Sequence, residues 1–288
     1  MDTAAVTARA EEFVWKNARL VDRRRYEYHF CGGSRERVLA ALRGYVNPDG
    51  GFGHALEPDL RSPECQPVFQ EAGLRILDEV GFDDTIVEGL MHYLPTITTD
   101  EGGIPGVLPS ARAYPRAPWW EPEDHPAARL MPTAAIAGYL HRNGVHAPWL
   151  DRATGFCWEA LEEGQPSEVH DLLHGLVFLE NVPERDRAQR ILEPLGERIL
   201  AAGLVCLDPH DQGYVQKPLA WAPRPESWCR RLFEASVIEE HLDAFAALQQ
   251  EDGGWSISWS AVSPACELEW RGFHTVDALL LLRAYGRL

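Results

Sequence analysis

One segment near the end of the 288 residues, Leu248-Gln249-Gln250-Glu251-Asp252-Gly253-Gly254-Trp255-Ser256, is the most informative about the fold. A helix-like segment ends in glutamine, and an acidic residue, two glycines and an aromatic residue follow. Asn47-Pro48-Asp49-Gly50-Gly51-Phe52-Gly53 repeats the pattern, and Asp100-Glu101-Gly102-Gly103-Ile104 is a weaker third copy. An apolar helical segment follows each copy, which predicts a helical repeat architecture.

The paired glycines in these turns have a physical role. Glycine adopts positive φ without steric cost and allows two backbones to approach closely. We therefore expect Gly51 and Gly254 to have φ > 0, so that valine at either position would strain the backbone and destabilise the fold.

The rest of the sequence favours helices over strands. Apolar periodicity, caps and proline positions predict about ten helices, over residues 7–30, 34–46, 65–80, 83–97, 130–143, 148–163, 166–181, 184–202, 232–250 and 267–286. Two Pro-rich loops, 98–128 and 207–227, interrupt them. Helical pairs that cannot bury their inner faces alone stack into a solenoid or close into a ring.

Residues 249–286 resemble one repeat of the squalene cyclase and prenyltransferase superfamily. In that repeat, Gln, an acid and Gly-Gly-Trp precede a helix that begins Thr-x-x-Ala-Leu, here Thr275 to Leu279. The resemblance is good in the first and last repeats, weak between them, and covers about half of the chain. It implies an all-α fold, a single α/α toroid (barrel) of five to six helical hairpins over residues 1–288, with a central cavity.

The catalytic signatures of that superfamily are not present in the sequence. The Asp-x-Asp-Asp box of the triterpene cyclases is missing, and Glu121-Pro122-Glu123-Asp124 is interpreted as a solvated acidic loop. The Asp-x-Cys pair with which prenyltransferase subunits hold zinc is missing too. No metal and no cofactor is therefore expected. The repeat predicts a fold and does not name a reaction.

The composition and the N-terminal sequence limit the kinds of partner and the cellular location that we expect for this protein. The net charge is −17 and only two residues are lysines, which disfavours nucleic acids and anionic membranes as partners. No stretch approaches the roughly 20 apolar residues that span a bilayer. The N-terminus lacks a basic-then-apolar signal, and the six cysteines are scattered, so we expect free thiols and a cytoplasmic protein.

The loop after the first repeat turn is the richest in ionisable groups. It offers His54, Glu57, Asp59 and Arg61 within eight residues. Histidine and carboxylates can exchange protons as general acid and base, and arginine can bind an anion through two hydrogen bonds. We predict His54, Glu57 and Asp59 as catalytic and Arg61 as substrate-binding. The alternative is a loop whose polar groups cap helix ends.

Two further segments supply candidates. In 266–274, Trp270 and Arg271 are predicted to bind substrate and His274 to take part in catalysis. In 213–223, Lys217 lies among apolar residues beside Trp221, and both are predicted to bind substrate. The alternatives are an Arg271 ion pair to Glu57 or Asp59 that closes the ring, and a surface lysine. If the ring closes, the first and last loops would share one pocket.

These residues support three functional hypotheses. The first is an enzyme that acts on an isoprenoid or similar apolar small molecule by acid–base chemistry in a central cavity. The second is a carbohydrate-active α/α-barrel lyase or hydrolase in which Trp and Tyr stack on sugars. The third is a non-catalytic toroid that binds a ligand or a partner.

Overall fold

The computed structural model describes residues 3–164, 166–211 and 213–288. This part of the chain is 61% helical and contains no strand, which confirms the all-α prediction. It holds twelve α-helices: α1 (Thr3–Asn17), α2 (Leu20–Phe30), α3 (Arg35–Arg43), α4 (Pro67–Val80), α5 (Asp84–Tyr93), α6 (Leu130–Arg142), α7 (Pro148–Glu162), α8 (Val169–Asn181), α9 (Arg185–Ala201), α10 (Pro218–Trp221), α11 (Ala235–Ala247) and α12 (Pro264–Ala284). None of these helices is long and apolar enough to cross a membrane.

The segment predicted as one helix, 7–30, forms two. α1 ends at Asn17 and α2 begins at Leu20. Between them Arg19 has an extended backbone with ψ of 158°, and its Nε donates a 2.7 Å hydrogen bond to Asp22 Oδ2 in the first turn of α2. The single-helix prediction was wrong because arginine and alanine are both good helix formers, so the sequence shows no break there.

The chain divides into two compact units. The first comprises residues 1–37 and 194–288, and the second comprises residues 38–193. Within the first unit, α12 packs against α1 and α2, and α10 packs against α11. Within the second unit, α6 is the central helix and packs against α4, α7 and α8. Ala134, Ala135, Ile136 and Ala137 of α6 are fully buried, as expected for a helix surrounded by others.

The three sequence repeats form three turns with the same hydrogen bonds. In the first, the Asn47 N–H donates to Gly51 O and the Gly50 N–H donates to Asn47 O, both at 2.9 Å. The same two bonds join Thr99 with Gly103 and Gly102, and Gln250 with Gly254 and Gly253. The degraded middle copy therefore keeps the backbone geometry of the other two.

The two glycines of each turn have different roles. The first glycine has positive φ, 89° at Gly50 and 93° at Gly253. A Cβ on Gly253 would lie 2.1 Å from the Arg9 carbonyl oxygen of α1. The prediction that Gly51 and Gly254 carry the positive φ was wrong: these second glycines lie against aromatic rings instead. A Cβ on Gly254 would lie 2.7 Å from Phe13 Cζ.

Each turn is also fixed to the helix that follows it. The N–H of the residue after Gly-Gly donates to a side-chain oxygen in α4, α6 or α12, and the pairs are Phe52 with Gln70 at 2.7 Å, Ile104 with Thr133 at 3.0 Å, and Trp255 with Thr275 at 3.1 Å. These pairs give a register for comparing the repeats, because Gln70, Thr133 and Thr275 occupy equivalent positions.

Candidate active site

The loop that carries Glu57 and Asp59 leaves the first repeat turn through an uncommon backbone conformation. His54 and Ala55 have φ of 57° and 56°, a region that residues with a Cβ seldom adopt. Backbone hydrogen bonds hold them there: the His54 N–H donates to Pro63 O and the Ala55 N–H donates to Ser62 O. Strained backbone of this kind is concentrated at functional sites.

The Pro-rich loop 98–128 covers this segment in the second unit. The Ala117 N–H donates to Asp59 O at 2.8 Å, and the Arg61 N–H donates to Pro115 O at 2.9 Å. Further along, the Trp120 indole N–H donates to Glu57 Oε1 at 3.1 Å. The covering loop therefore buries Glu57 and supplies one donor to its carboxyl group.

In the second unit, the carboxyl of Glu57 is buried and its pKa is raised far above the ordinary value. The residue is 7% exposed, and Oε2 of its carboxyl meets no donor with hydrogen-bond geometry in the described residues. Burial and then the nearby charge of Asp59 raise the pKa of Glu57 to about 8. The indole of Trp120 and the backbone N–H groups of Asp59 and Leu60 oppose this rise. Glu57 is therefore mostly protonated at neutral pH.

The other predicted residues of this loop have different surroundings. Asp59 is 1% exposed, two residues from Glu57. The Arg61 guanidinium donates to the Pro58 carbonyl at 3.2 Å within the same loop. His54 is exposed and lines a surface cavity with Cys65. The loop thus separates a buried carboxyl pair from an exposed imidazole, and only the pair is shielded from water.

Arg271 lies in the first unit, in α12, and serves the last repeat turn. Its guanidinium donates to Asp252 Oδ1 at 2.7 Å and to the Trp255 carbonyl at 3.4 Å. It also lies 4.6 Å from the ring centroid of Phe13. The charge of Arg271 is therefore used to stabilise this turn. Its predicted pairing with Glu57 or Asp59, and the shared pocket, stay predictions.

The segments 213–223 and 266–274, both in the first unit, meet through aromatic rings. The Trp270 ring stacks on His274 at 5.5 Å, and Trp259 packs edge-on against both. Tyr214, which is 55% exposed, lies edge-on to Trp259 with ring centroids 6.0 Å apart. Trp259 was not predicted as a site residue, and it is the ring that links the two segments.

Lys217 and Trp221 are both engaged within the first unit. The Lys217 ammonium donates to the backbone carbonyls of Pro209 and Asp211 at 2.7 and 2.8 Å, which holds its loop closed. Trp221 lies in α10 and is 2% exposed. Its indole nitrogen is buried without a hydrogen-bond partner in the described part of the chain. A substrate-binding role for these two residues stays a prediction.

One buried charge cluster was not predicted from the sequence. Arg25 in α2 is fully buried and pairs with Asp22 at 3.2 Å and with Asp277 of α12 at 2.6 Å. The Phe273 ring covers its guanidinium at 4.7 Å. The detectable signal was Asp277, an aspartate in the otherwise apolar stretch 276–282. A buried arginine between two aspartates fixes α2 against α12.

No protein-family model matches this sequence, and comparison with curated proteins finds no match. Within residues 3–164, 166–211 and 213–288, no three side chains of His, Cys, Asp or Glu gather as they would around a metal ion. Among the predicted site residues, Glu57 is the one best suited to hold and give up a proton.

Proposed function

We propose that this protein is an enzyme that protonates an isoprenoid or similarly apolar small molecule, with Glu57 as the proton donor. The observation that carries the proposal is the buried carboxyl of Glu57, whose pKa is raised to about 8 by burial and by Asp59. A carboxyl that keeps its proton near neutral pH can act as a general acid there.

The surroundings of Glu57 can stabilise both the neutral acid before proton transfer and the carboxylate after it. The flanking Leu56 and Leu60 are buried and apolar, which favours the neutral acid and an apolar substrate. When the O–H bond breaks and the proton is bonded to a substrate carbon, Glu57 is left as a carboxylate. The Trp120 indole N–H, at 3.1 Å from Oε1, then stabilises that charge.

We also propose that the helices close into the α/α toroid that the resemblance implies. Three turns with the same hydrogen bonds, each fixed to the next helix, support a structure made of repeated helical hairpins. In such a fold the loop 53–66 would lie at the mouth of a central cavity. The isoprenoid class of substrate is supported by the same resemblance.

The test is proton incorporation in heavy water. Purified protein is incubated in D₂O with acyclic polyprenyl alcohols and their diphosphates, and products are screened by mass spectrometry for one added deuterium. We expect product from the wild type and from Glu123→Gln, an exposed acid of the covering loop, and none from Glu57→Gln. Equal turnover by Glu57→Gln would overturn the assignment of the proton donor.

A carbohydrate substrate is the second candidate. The half-exposed Tyr214 ring, set edge-on to Trp259, favours it because sugars stack on exposed aromatic faces. Cleavage of an oligosaccharide panel by the wild type, with polyprenyl compounds unchanged, would replace the isoprenoid class with this one. Retention of a ligand without turnover of either class would instead favour the non-catalytic binding toroid.

A further inference from the structure

The acidic residue of the last repeat turn is neutralised by an arginine of the same chain. Asp252 Oδ1 accepts the Gly254 N–H at 3.1 Å and also accepts the Arg271 guanidinium at 2.7 Å. Arg271 lies four residues before Thr275, the residue that bonds to the turn. This pairing defines what a completed repeat turn contains: a carboxylate, a backbone N–H and a guanidinium.

The first repeat turn has the same carboxylate and no arginine at the equivalent position. Asp49 Oδ1 accepts the Gly51 N–H at 3.1 Å, as Asp252 does from Gly254. Four residues before Gln70, which is equivalent to Thr275, stands Gln66. The Gln66 side chain is directed elsewhere: its amide bonds to Ser110 Oγ and accepts from the Leu108 N–H, both at 2.9 Å.

The middle repeat has an arginine at the same position, four residues before Thr133. This residue, Arg129, pairs with Asp171 of α8 at 3.7 Å, so the last turn is the one whose own acid is paired with the arginine at this position. In the first turn, the side chain that donates to Asp49 Oδ1 is the Cys65 thiol, at 3.1 Å. A thiol is a weak donor and carries no positive charge, so Asp49 lacks the cation that Asp252 has.

A cavity opens beside Asp49, within the second unit. It has a volume of about 460 Å³ and is lined by Asn47, Pro48, Asp49, His54, Pro63, Glu64 and Cys65. The lining brings two carboxylates and one imidazole, and no lysine or arginine. The Tyr93 ring lies against Gly51 of this turn, and its hydroxyl is buried without a hydrogen-bond partner in the described residues. Asp49 and Cys65 are among the groups that raise the pKa of Tyr93, after burial.

We propose that this cavity binds a small organic cation, whose guanidinium or ammonium group pairs with Asp49 as the Arg271 guanidinium pairs with Asp252. His54, whose backbone has positive φ, forms part of the lining, and Glu64 supplies a second negative charge. The site is independent of the proton-donating role of Glu57, because neither Glu57 nor Asp59 lines the cavity.

The experiment titrates the protein with butylguanidinium, butylammonium and the neutral isostere butylurea, by isothermal calorimetry at low salt. We expect one of the two cations, or both, to bind and butylurea to bind at least tenfold more weakly. Asp49→Asn should weaken cation binding at least tenfold. The turn should remain folded in this variant, because the asparagine Oδ1 still accepts the Gly51 N–H.

Asp252→Asn is the matched control, since the same change is made in a turn whose carboxylate already has its arginine. Its cation affinity should equal that of the wild type. The proposal is overturned if neither cation binds, if butylurea binds equally well, or if Asp49→Asn keeps wild-type affinity.

Discussion

Replacing Glu57 by glutamine should make the stability of the protein less sensitive to pH. The folded protein raises the pKa of this carboxyl from 4.5 to about 8, so between these values the folded state holds a proton that the unfolded state has lost. Stability must then fall as pH rises through this window, by about 1.4 kcal/mol per pH unit. Below pH 4.5 Glu57 is protonated in both the folded and the unfolded state. Above pH 8 the full loss of unfolding free energy has occurred.

Glutamine mimics the protonated acid and removes this dependence. Between pH 5 and pH 7 the wild type should therefore lose about 3 kcal/mol of unfolding free energy relative to Glu57→Gln. Urea denaturation at pH 5, 6, 7, 8 and 9 measures the difference, with the exposed Glu123→Gln as a control that should parallel the wild type. Wild-type and Glu57→Gln curves that stay parallel from pH 5 to 8 would refute the raised pKa and its cause.

Three further predictions concern the turns and the buried polar groups. Urea denaturation should show that Gly253→Ala destabilises the fold by more than about 3 kcal/mol, because positive φ and a backbone clash act together. Gly203 also has positive φ but is surrounded by open space, so Gly203→Ala should cost about 1 kcal/mol in the same assay. Equal losses would contradict the clash. Trp120→Phe removes a hydrogen bond that lowers the pKa of Glu57, so this pKa should rise in the variant. The pH at which the loss of unfolding free energy levels off should therefore be higher than in the wild type, and an unchanged pH would show that the bond is weak. Arg25→Leu should cost about 3–5 kcal/mol in the same assay, because it removes the buried guanidinium that pairs with both Asp22 and Asp277 and leaves Asp22 with Arg19 alone. A loss below about 1 kcal/mol would contradict this.

The sequence was most informative where the structure depends on neighbouring residues. The repeat turns were predicted from Gly-Gly pairs flanked by an acid, because positive φ and tight backbone contact demand glycine locally. Which glycine of each pair has the positive φ could not be read from the sequence, since two adjacent glycines are chemically alike. The answer lies in α1 and α5, whose backbones meet Gly253 and Gly50.

The candidate site was predictable in part. The density of ionisable groups in 53–66 pointed to Glu57 and Asp59. The contact between Trp120 and Glu57 joins residues 63 positions apart, so no local pattern shows it. For the same reason no local pattern marks Arg25, whose partner Asp277 lies 252 residues away in the sequence.

The most direct test of the proposed function is the titration of the Glu57 carboxyl itself. Protein labelled with ¹³C at the side-chain carboxyl of glutamate can be followed by NMR from pH 3 to pH 10, and the signal absent from Glu57→Gln identifies this residue. We predict a midpoint near pH 8, as expected for a carboxyl protonated at neutral pH. A midpoint between about pH 4 and 5, the ordinary range for glutamate, would contradict the assignment of Glu57 as the proton donor.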